Sequence, residues 1–438
     1  MKCFRRCPAS MITTRARGRD GRDGEPGQVL AMMAIALLGM CALVGLAADT
    51  GFFFDYRRRM QSGADGAALA GAEQLLRDAM RDTNVHSAAI TAATSNGFTD
   101  GADGAHVTVN HPPLGGFYTG NDAFVEAIIT QPRPTIFMGT LGFQSEMVST
   151  RAVAGIKDSG NCIYALNPTA PKAINLNGGA NINANCGIVD DSNNSDALDA
   201  SGSACITRAT SIAVAGNVSG ACFTPAPKTS VPREPDPLAG LAAPTFSLPC
   251  NYPDPHINGV GTYTFYPGVY CGLTIHGQGG AGCPTNVTFQ PGTYVIYGGG
   301  LTMNGGCING TGVTFYNTGT TSGTNKYQPV SINGNVQGAL YAPTSGPMRA
   351  ILFFQDRAFS GSQANVVNGS TGLTLQGTLY FPTAPLTFAG GQAPTGAAAY
   401  SILIADTITF TGSSSFNDDF SGLIPDGSSP IKAVALAE

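Results

Sequence analysis

A hexapeptide returns at a fixed distance: Phe265-Tyr-Pro-Gly-Val-Tyr270 recurs as Phe289-Gln-Pro-Gly-Thr-Tyr294, 24 residues on. Val287-Thr-Phe comes back as Val313-Thr-Phe, and Ile174-Asn-Leu-Asn-Gly-Gly-Ala resembles Leu301-Thr-Met-Asn-Gly-Gly-Cys. Leu373-Thr-Leu-Gln-Gly, Leu386-Thr-Phe-Ala-Gly and Ile408-Thr-Phe-Thr-Gly keep the same pattern. Short β-branched and aromatic runs closed by Gly or Asn, spaced by about one coil, suit a parallel β-solenoid: alternate side chains point inward and Gly or Asn takes the corner. A right-handed parallel β-helix is expected for residues 158–438, with a β-sandwich as the rival, although a sandwich gives no reason for a fixed echo.

Charge supports the solenoid. Only 12% of the residues are charged, against about a quarter in ordinary soluble proteins. Stacked coils bring equivalent side chains to about 4.8 Å, where like charges repel and Thr, Asn or Ser can form ladders. Such a composition excludes a coiled coil or a helical solenoid, while 43% hydrophobic residues exclude wholesale disorder. The net charge of −5 leaves no basic excess to neutralise phosphates, so no nucleic-acid partner is expected.

Eight of the 11 cysteines lie between positions 162 and 307, without CxxC metal spacing. Cys162 and Cys186 are 24 residues apart, as are Cys283 and Cys307. Residues one coil apart fall within disulfide reach, so these pairs are expected to be bridged, with Cys205–Cys222 and Cys250–Cys271 as the remaining pairs. An even set of cysteines in a Gly-rich β region points to an oxidising space outside the cytoplasm. Residues 224–248 are Pro-rich and read as an extended excursion over the surface.

Val29 to Ala48 is an uncharged run of 20 residues, preceded in residues 1–28 by seven bases against three acids. At about 1.5 Å per residue it spans a hydrocarbon core of about 30 Å. A cleaved signal peptide is the alternative, but its apolar stretch is normally only about 7 to 15 residues. Arg57 to Arg59 leave the positive-inside count nearly tied. The cysteines then favour a cytoplasmic residues 1–28, a membrane helix over 29–48, and everything beyond outside the cytoplasm.

Helix formers continue from Asp49 to Met80, and Gly63, Ala67 and Gly71 make a small-residue ridge at i, i+4, i+8. Such a ridge admits either a partner helix or an element of the same domain. Within 49–157 the pattern predicts a helix over 86–95, a short β run over 105–110, a strand over 122–131 broken by Pro132 and Pro134, a short apolar helix over 135–141, and a strand over 146–156. This is a small α+β segment.

The stretch from Gly24 to Leu76 resembles the N-terminal segment of TadE/TadG-like Tad (Flp) pilus-assembly proteins. Glu25, Gly27 and Gln28 precede the apolar run, Asp49 and Gly51 follow it, and Arg59, Gln61, Asp65, Ala68, Leu69, Ala70 and Gly71 match the signature beyond. The resemblance implies a single-pass protein of the bacterial inner membrane, with other pilin-like or TadE-like subunits of a Tad system and membrane lipid as partners. Two departures stand out. A cleavable prepilin would have Gly five positions before Glu25, where this chain has Asp20. Long TadG-like relatives carry an Asp-x-Ser-x-Ser metal motif, and the nearest stretch, Asp190-Asp191-Ser192-Asn193-Asn194, reads instead as a loop.

No catalytic, cofactor or metal site is expected. Residues 160–438 hold 13 acids and 8 bases, thinly spread, whereas a polysaccharide-cleaving β-helix needs clustered carboxylates. Asp356 with Arg357, and Asp418 with Asp419, are the nearest candidates, but consecutive strand residues face opposite ways. His86, His106 and His111 lack ligand spacing, and His256 and His276 lack a nucleophile. A tethered adhesin or glycan-binding β-helix is the alternative function, with Tyr263, Tyr266, Tyr270, Tyr294 and Tyr297 as candidate stacking residues for envelope glycan.

Overall fold

The computed structural model describes residues 26–77, 82–361, 363–368, 372–389, 398–419 and 429–438; the segment 1–25, including Glu25 and most of the basic head, lies outside them. Helix α1 (Pro26–Arg77) is continuous over 52 residues, about 78 Å at 1.5 Å per residue. Most of its first half is uncovered: Leu30, Ile35, Leu38 and Leu43 are each about 70% exposed. Its second half lies on a small domain made of α2 (Val85–Ser95), β1 (His106–Asn110), β2 (Phe124–Pro134) and β3 (Ser145–Asp158). The strands form an antiparallel sheet in the order β1-β2-β3, completed by the distant strand Lys432–Leu436 on the far side of β3. Met60, Ala64, Ala67, Ala68, Ala72 and Leu75 of α1 are buried against Ala89 and Ala93 of α2 and Val125, Ala127 and Ile129 of β2.

Contrary to the sequence expectation, Pro132 and Pro134 do not end their strand: β2 stays paired with β3 out to Pro134↔Ser145. The pairing of β1 with β2 stops at Thr130, so beyond it β2 has an open side where a missing N–H costs no ladder bond.

From Asn161 onward the chain winds into a parallel solenoid. The sandwich alternative is discarded because, among the described residues, the strands of this body pair in parallel, with a single antiparallel bridge between Tyr400 and Asp418. The first coil comprises β4 (Asn161–Ala165), β5 (Ile174–Leu176) and β6 (Asn181–Ala184). The next lays Gly187–Asp190 on β4, Leu198–Ala200 on β5 and Cys205–Arg208 on β6. Ile212–Val214 and Lys228–Thr229 extend the first of these ladders to its edge.

The coils do not continue outward from there. The chain crosses to the opposite end, starts again at His256–Asn258, and winds back coil by coil until Ser401–Ala405 pairs with β4, Ile408–Thr411 with β5 and Ser414–Phe416 with β6. The first and last coils are therefore neighbours, joined by a seam of parallel pairs such as Leu403↔Ile163 and Ile408↔Ile174.

Inside the later coils, Phe265, Phe289, Phe315 and Phe353 follow one another at centroid distances of 5.2, 5.1 and 5.3 Å. The echo sets the register here, with Phe265 opposite Phe289. One strand later it slips by two: Tyr270 faces Ile296 rather than Tyr294. Because side chains alternate with a period of two, this slip keeps every inward residue inward.

Candidate functional site

Chemistry-bearing side chains gather at three places: the end of the apolar half of α1, the closure of the small sheet, and a strap across the solenoid.

At the first, Asp49 is the first charged residue after the apolar run, and it is buried. Its carboxylate accepts the backbone N–H groups of Ile136, Phe137 and Met138 at 2.9, 2.9 and 2.7 Å, holding the short 3-10 turn Met138–Leu141 against the helix. Phe137 fills the space that glycine leaves at position 45, where a Cβ would lie 2.7 Å from the phenylalanine Cβ. Gln61 donates to the Arg151 carbonyl at 3.0 Å and to Asp65 at 2.8 Å, and Tyr56 donates to Gln131. The signature residues Asp49, Gln61 and Asp65 thus build the joint between α1 and its own sheet.

The small-residue ridge belongs to the same joint. A Cβ on Gly63 would come within 2.6 Å of the Phe98 ring, and one on Gly71 within 2.8 Å of Val125 Cγ1; Ala67 is fully buried between them. Of the two readings the ridge allowed, the structure shows packing on the chain's own α2 and β2, and the face is filled from within. The spacing is the same in both cases, so sequence gave no means of choosing.

At the second place, Arg151 reaches from β3 to Glu126, to Glu438 and to the Gly115 carbonyl. Glu126 also accepts from Asn110 at 2.6 Å and from the Leu114 N–H at 3.2 Å. Burial works against its charge, but the bonds from Asn110 and Arg151 prevail and hold its carboxyl below the usual range. Glu438 is held low as well, chiefly by Arg151. This closure was missed in the sequence because its members are scattered along the chain.

The third place is the Pro-rich segment, which is an ordered strap. Coming off the edge strand Lys228–Thr229, it meets the solenoid ladder in strict order. Glu234 N–H bonds to Asp191 at 2.9 Å and its carboxylate accepts from Asn161 at 3.3 Å. Asp236 accepts from the Tyr380 hydroxyl at 2.6 Å. Arg357 donates to the carbonyls of Leu238 and Leu241 and to Tyr380 Oη, while its guanidinium sits 5.1 Å from the ring centres of Phe354 and Tyr380. Phe246 packs on Tyr297 and Tyr316 at 5.7 and 6.3 Å, and Cys250 and Tyr252 reach Cys271 and Tyr270 at the far edge. Tyr316, Phe354 and Tyr380 point outward on successive strands, so the strap covers a continuous aromatic stripe.

All four expected cysteine pairs stand at disulfide distance: Cys162–Cys186, Cys205–Cys222, Cys250–Cys271 and Cys283–Cys307, with Cα separations of 5.7, 4.8, 5.7 and 5.4 Å. Of the stretch expected as a loop, Asp191 does lie past the strand end, while Asp190 does not. Asp190 closes the strand Gly187–Asp190 and both are buried. Burial pushes Asp190 up to about 7, against bonds from the N–H groups of Ser192 and Ile174, and pushes Asp191 up to about 6. Asp356 is taken up by Thr318 and the Ala358 N–H, and its neighbour Arg357 by the strap. Asp418 lies in a bridge with Tyr400. Among the described residues no three His, Cys, Asp or Glu side chains are grouped to hold a metal ion. Of the candidate stacking tyrosines, Tyr270 and Tyr294 are buried core residues, Tyr263 and Tyr297 are partly buried, and Tyr266 alone is exposed; they make no continuous platform for a sugar.

One helix in the described residues is long and apolar enough to cross a membrane, and it is α1. Residues 27–74 match the family model for TadE/G-like Flp pilus-assembly proteins, and residues 70–154 match that for Tad-like Flp pilus-assembly proteins. The two matches together cover α1 and the small sheet and stop where the solenoid begins. No curated protein and no solved structure matches the chain.

Proposed function

We propose that this chain, whose residues 27–154 carry the TadE/G-like and Tad-like Flp pilus-assembly segments, is a membrane-anchored component of a Tad-type pilus-assembly system. Its solenoid is a non-catalytic body outside the cytoplasm that makes protein or envelope contacts. The carrying observation is the pair of family matches, coinciding with a helix whose apolar half the described residues leave largely uncovered, Phe137 at Gly45 apart. Four cysteine pairs in the body support an oxidising compartment for it; in this reading residues 1–28 are cytoplasmic and the helix crosses the bacterial inner membrane. The partners are other pilin-like or TadE-like membrane subunits. Because Gly63, Ala67 and Gly71 are occupied within the chain, the helix face left for such a partner lies in the apolar half.

The test is photo-crosslinking in the native cell from Leu38 and Leu43, both 69% exposed, with adducts identified by mass spectrometry. Recovery of TadE-like or pilin-like subunits supports the reading. Adducts with lipid alone, or with proteins unrelated to pilus assembly, overturn it.

A further inference from the structure

Beside the end of the apolar half of α1, the segment 135–147 carries Ile136, Phe137, Phe143 and Met147 with exposures of 58, 47, 63 and 59%. Phe52 and Phe54 of α1 add two more exposed rings at the same level, at 62 and 68%. A soluble surface rarely collects so many large apolar side chains in one place.

Their depth follows from contacts already described. Phe137 packs at Gly45, one helical turn before Asp49 and inside the uncharged run; at about 1.5 Å per residue this is about 6 Å into the apolar layer. Met147 shares a groove with Phe53, Phe54 and Arg57, a turn or two to the other side. The backbone of the segment is also prepared for a medium without water. Asp49 takes three of its N–H groups, Thr135 N–H bonds to Gln144 O at 3.1 Å, and Gly142 and Phe143 N–H bond to Gly139 O and Met138 O, each at 3.2 Å. Unpaired backbone polar groups are costly out of water and irregular backbone is not exposed to lipid in the hydrocarbon core, so a segment bonded in this way suits the interface rather than the core. Arg57, Arg58 and Arg59 follow just above, where anionic head groups would meet them.

We propose that residues 135–147 form a second membrane contact, an apolar wedge seated in the interface of the same bilayer that α1 crosses, with the arginines on its head groups. Its occupant is lipid at the boundary between acyl chains and head groups. The wedge fixes the small domain against the membrane surface, so α1 cannot swivel freely beneath it. The inference rests on α1 being the membrane anchor.

The chain contains no Trp, so a single introduced one reports its own surroundings. The full-length protein is placed in bilayers of phosphatidylcholine and phosphatidylglycerol containing lipid brominated near the head-group end of the acyl chain. Phe143→Trp and Met147→Trp are compared with Leu38→Trp in the helix and Tyr266→Trp on the solenoid. Blue-shifted emission, quenched by the brominated lipid for Phe143→Trp or Met147→Trp and unquenched for Tyr266→Trp, is the expected result. If Leu38→Trp responds to brominated lipid but both segment variants emit like Tyr266→Trp, the wedge is overturned and the anchor stands. If Leu38→Trp emits like Tyr266→Trp, the anchor falls and the wedge with it.

Discussion

The hydroxyl of Tyr380 donates to the Asp236 carboxylate at 2.6 Å, joining an outward residue of one coil to a strap residue 144 positions away. Arg357 completes the clasp by binding the same hydroxyl and two strap carbonyls. Charged hydrogen bonds of this kind are worth about 1.5–3 kcal/mol when part-buried. Arg357→Ala is expected to lower stability by about 1–3 kcal/mol and to open residues 231–248 to protease before the coils unfold. Limited proteolysis with mass mapping checks this. A strap that stays as resistant as in the unaltered protein would show that the clasp does not hold it.

Asp190 and Asp191 give the seam side of the strap a pH dependence of definite sign. Burial raises both, to about 7 and about 6. The folded chain therefore keeps protons that the unfolded chain releases. Their contribution is complete below the ordinary carboxylate value near 3.8 and is lost as pH rises through about 6 and 7. Asp191 faces Glu234, which is raised as well, and Arg233, while the charged group facing Asp190 is Asp191. Asp190→Asn removes the charge and keeps one acceptor oxygen, enough for either the Ser192 or the Ile174 N–H, which now bond to different carboxylate oxygens. It lowers stability at every pH but takes this group's titration out of the slope. Denaturant titration from about pH 5 to pH 8 is expected to show a smaller loss in the variant, by on the order of 1–3 kcal/mol.

Gly63→Leu and Gly71→Leu are expected to unseat α1 from its own sheet. Overpacking of this kind costs about 1–3 kcal/mol or more, and the Phe98 ring and Val125 stand in the way. Hydrogen exchange over residues 82–158 is expected to speed up in both variants. Unchanged exchange, together with the loss of an intermolecular crosslink, would return the ridge to a partner helix.

Arg151→Ala leaves Glu126 almost fully buried, with only Asn110 and the Leu114 N–H to hold its charge. Stripping the partner from a buried charge is strongly destabilising; with Arg151 part-exposed, about 2–3 kcal/mol is expected. Adding Glu126→Gln should recover part of that loss, because the stranded charge is gone. Chemical denaturation of the single and double variants decides it.

Much of this architecture was legible because the solenoid repeats its own inner face. The Phe265 and Phe289 echo gave the coil, and the cysteine spacing gave the pairs that tie coils together. The two-residue slip at Tyr270 was invisible, since it leaves the inward pattern intact. The seam was harder still: a repeat identifies a coil without saying which coils are neighbours. A faint signal existed in Ile174-Asn-Leu-Asn-Gly and Ile408-Thr-Phe-Thr-Gly, which resemble one another and pair at the seam. The strap looked like an excursion because prolines betray extended backbone but not what it lies on. Asp190 and Asp191 read as a loop because adjacent acids followed by Ser and Asn resemble a turn; Asp190 instead closes a strand and takes the Ile174 and Ser192 N–H groups, and Asp191 takes the Glu234 N–H of the strap.

The seam has a mechanical consequence. The chain enters the coils at Asn161 and leaves them after Phe416, both at the junction of first and last coil, and the returning strand Lys432–Leu436 ties the exit to the membrane-side sheet. The body is therefore held at a point along its length, like a beam balanced on a post. An extra coil inserted near either edge would lengthen one arm and carry a binding surface farther from the post while leaving the fulcrum where it is.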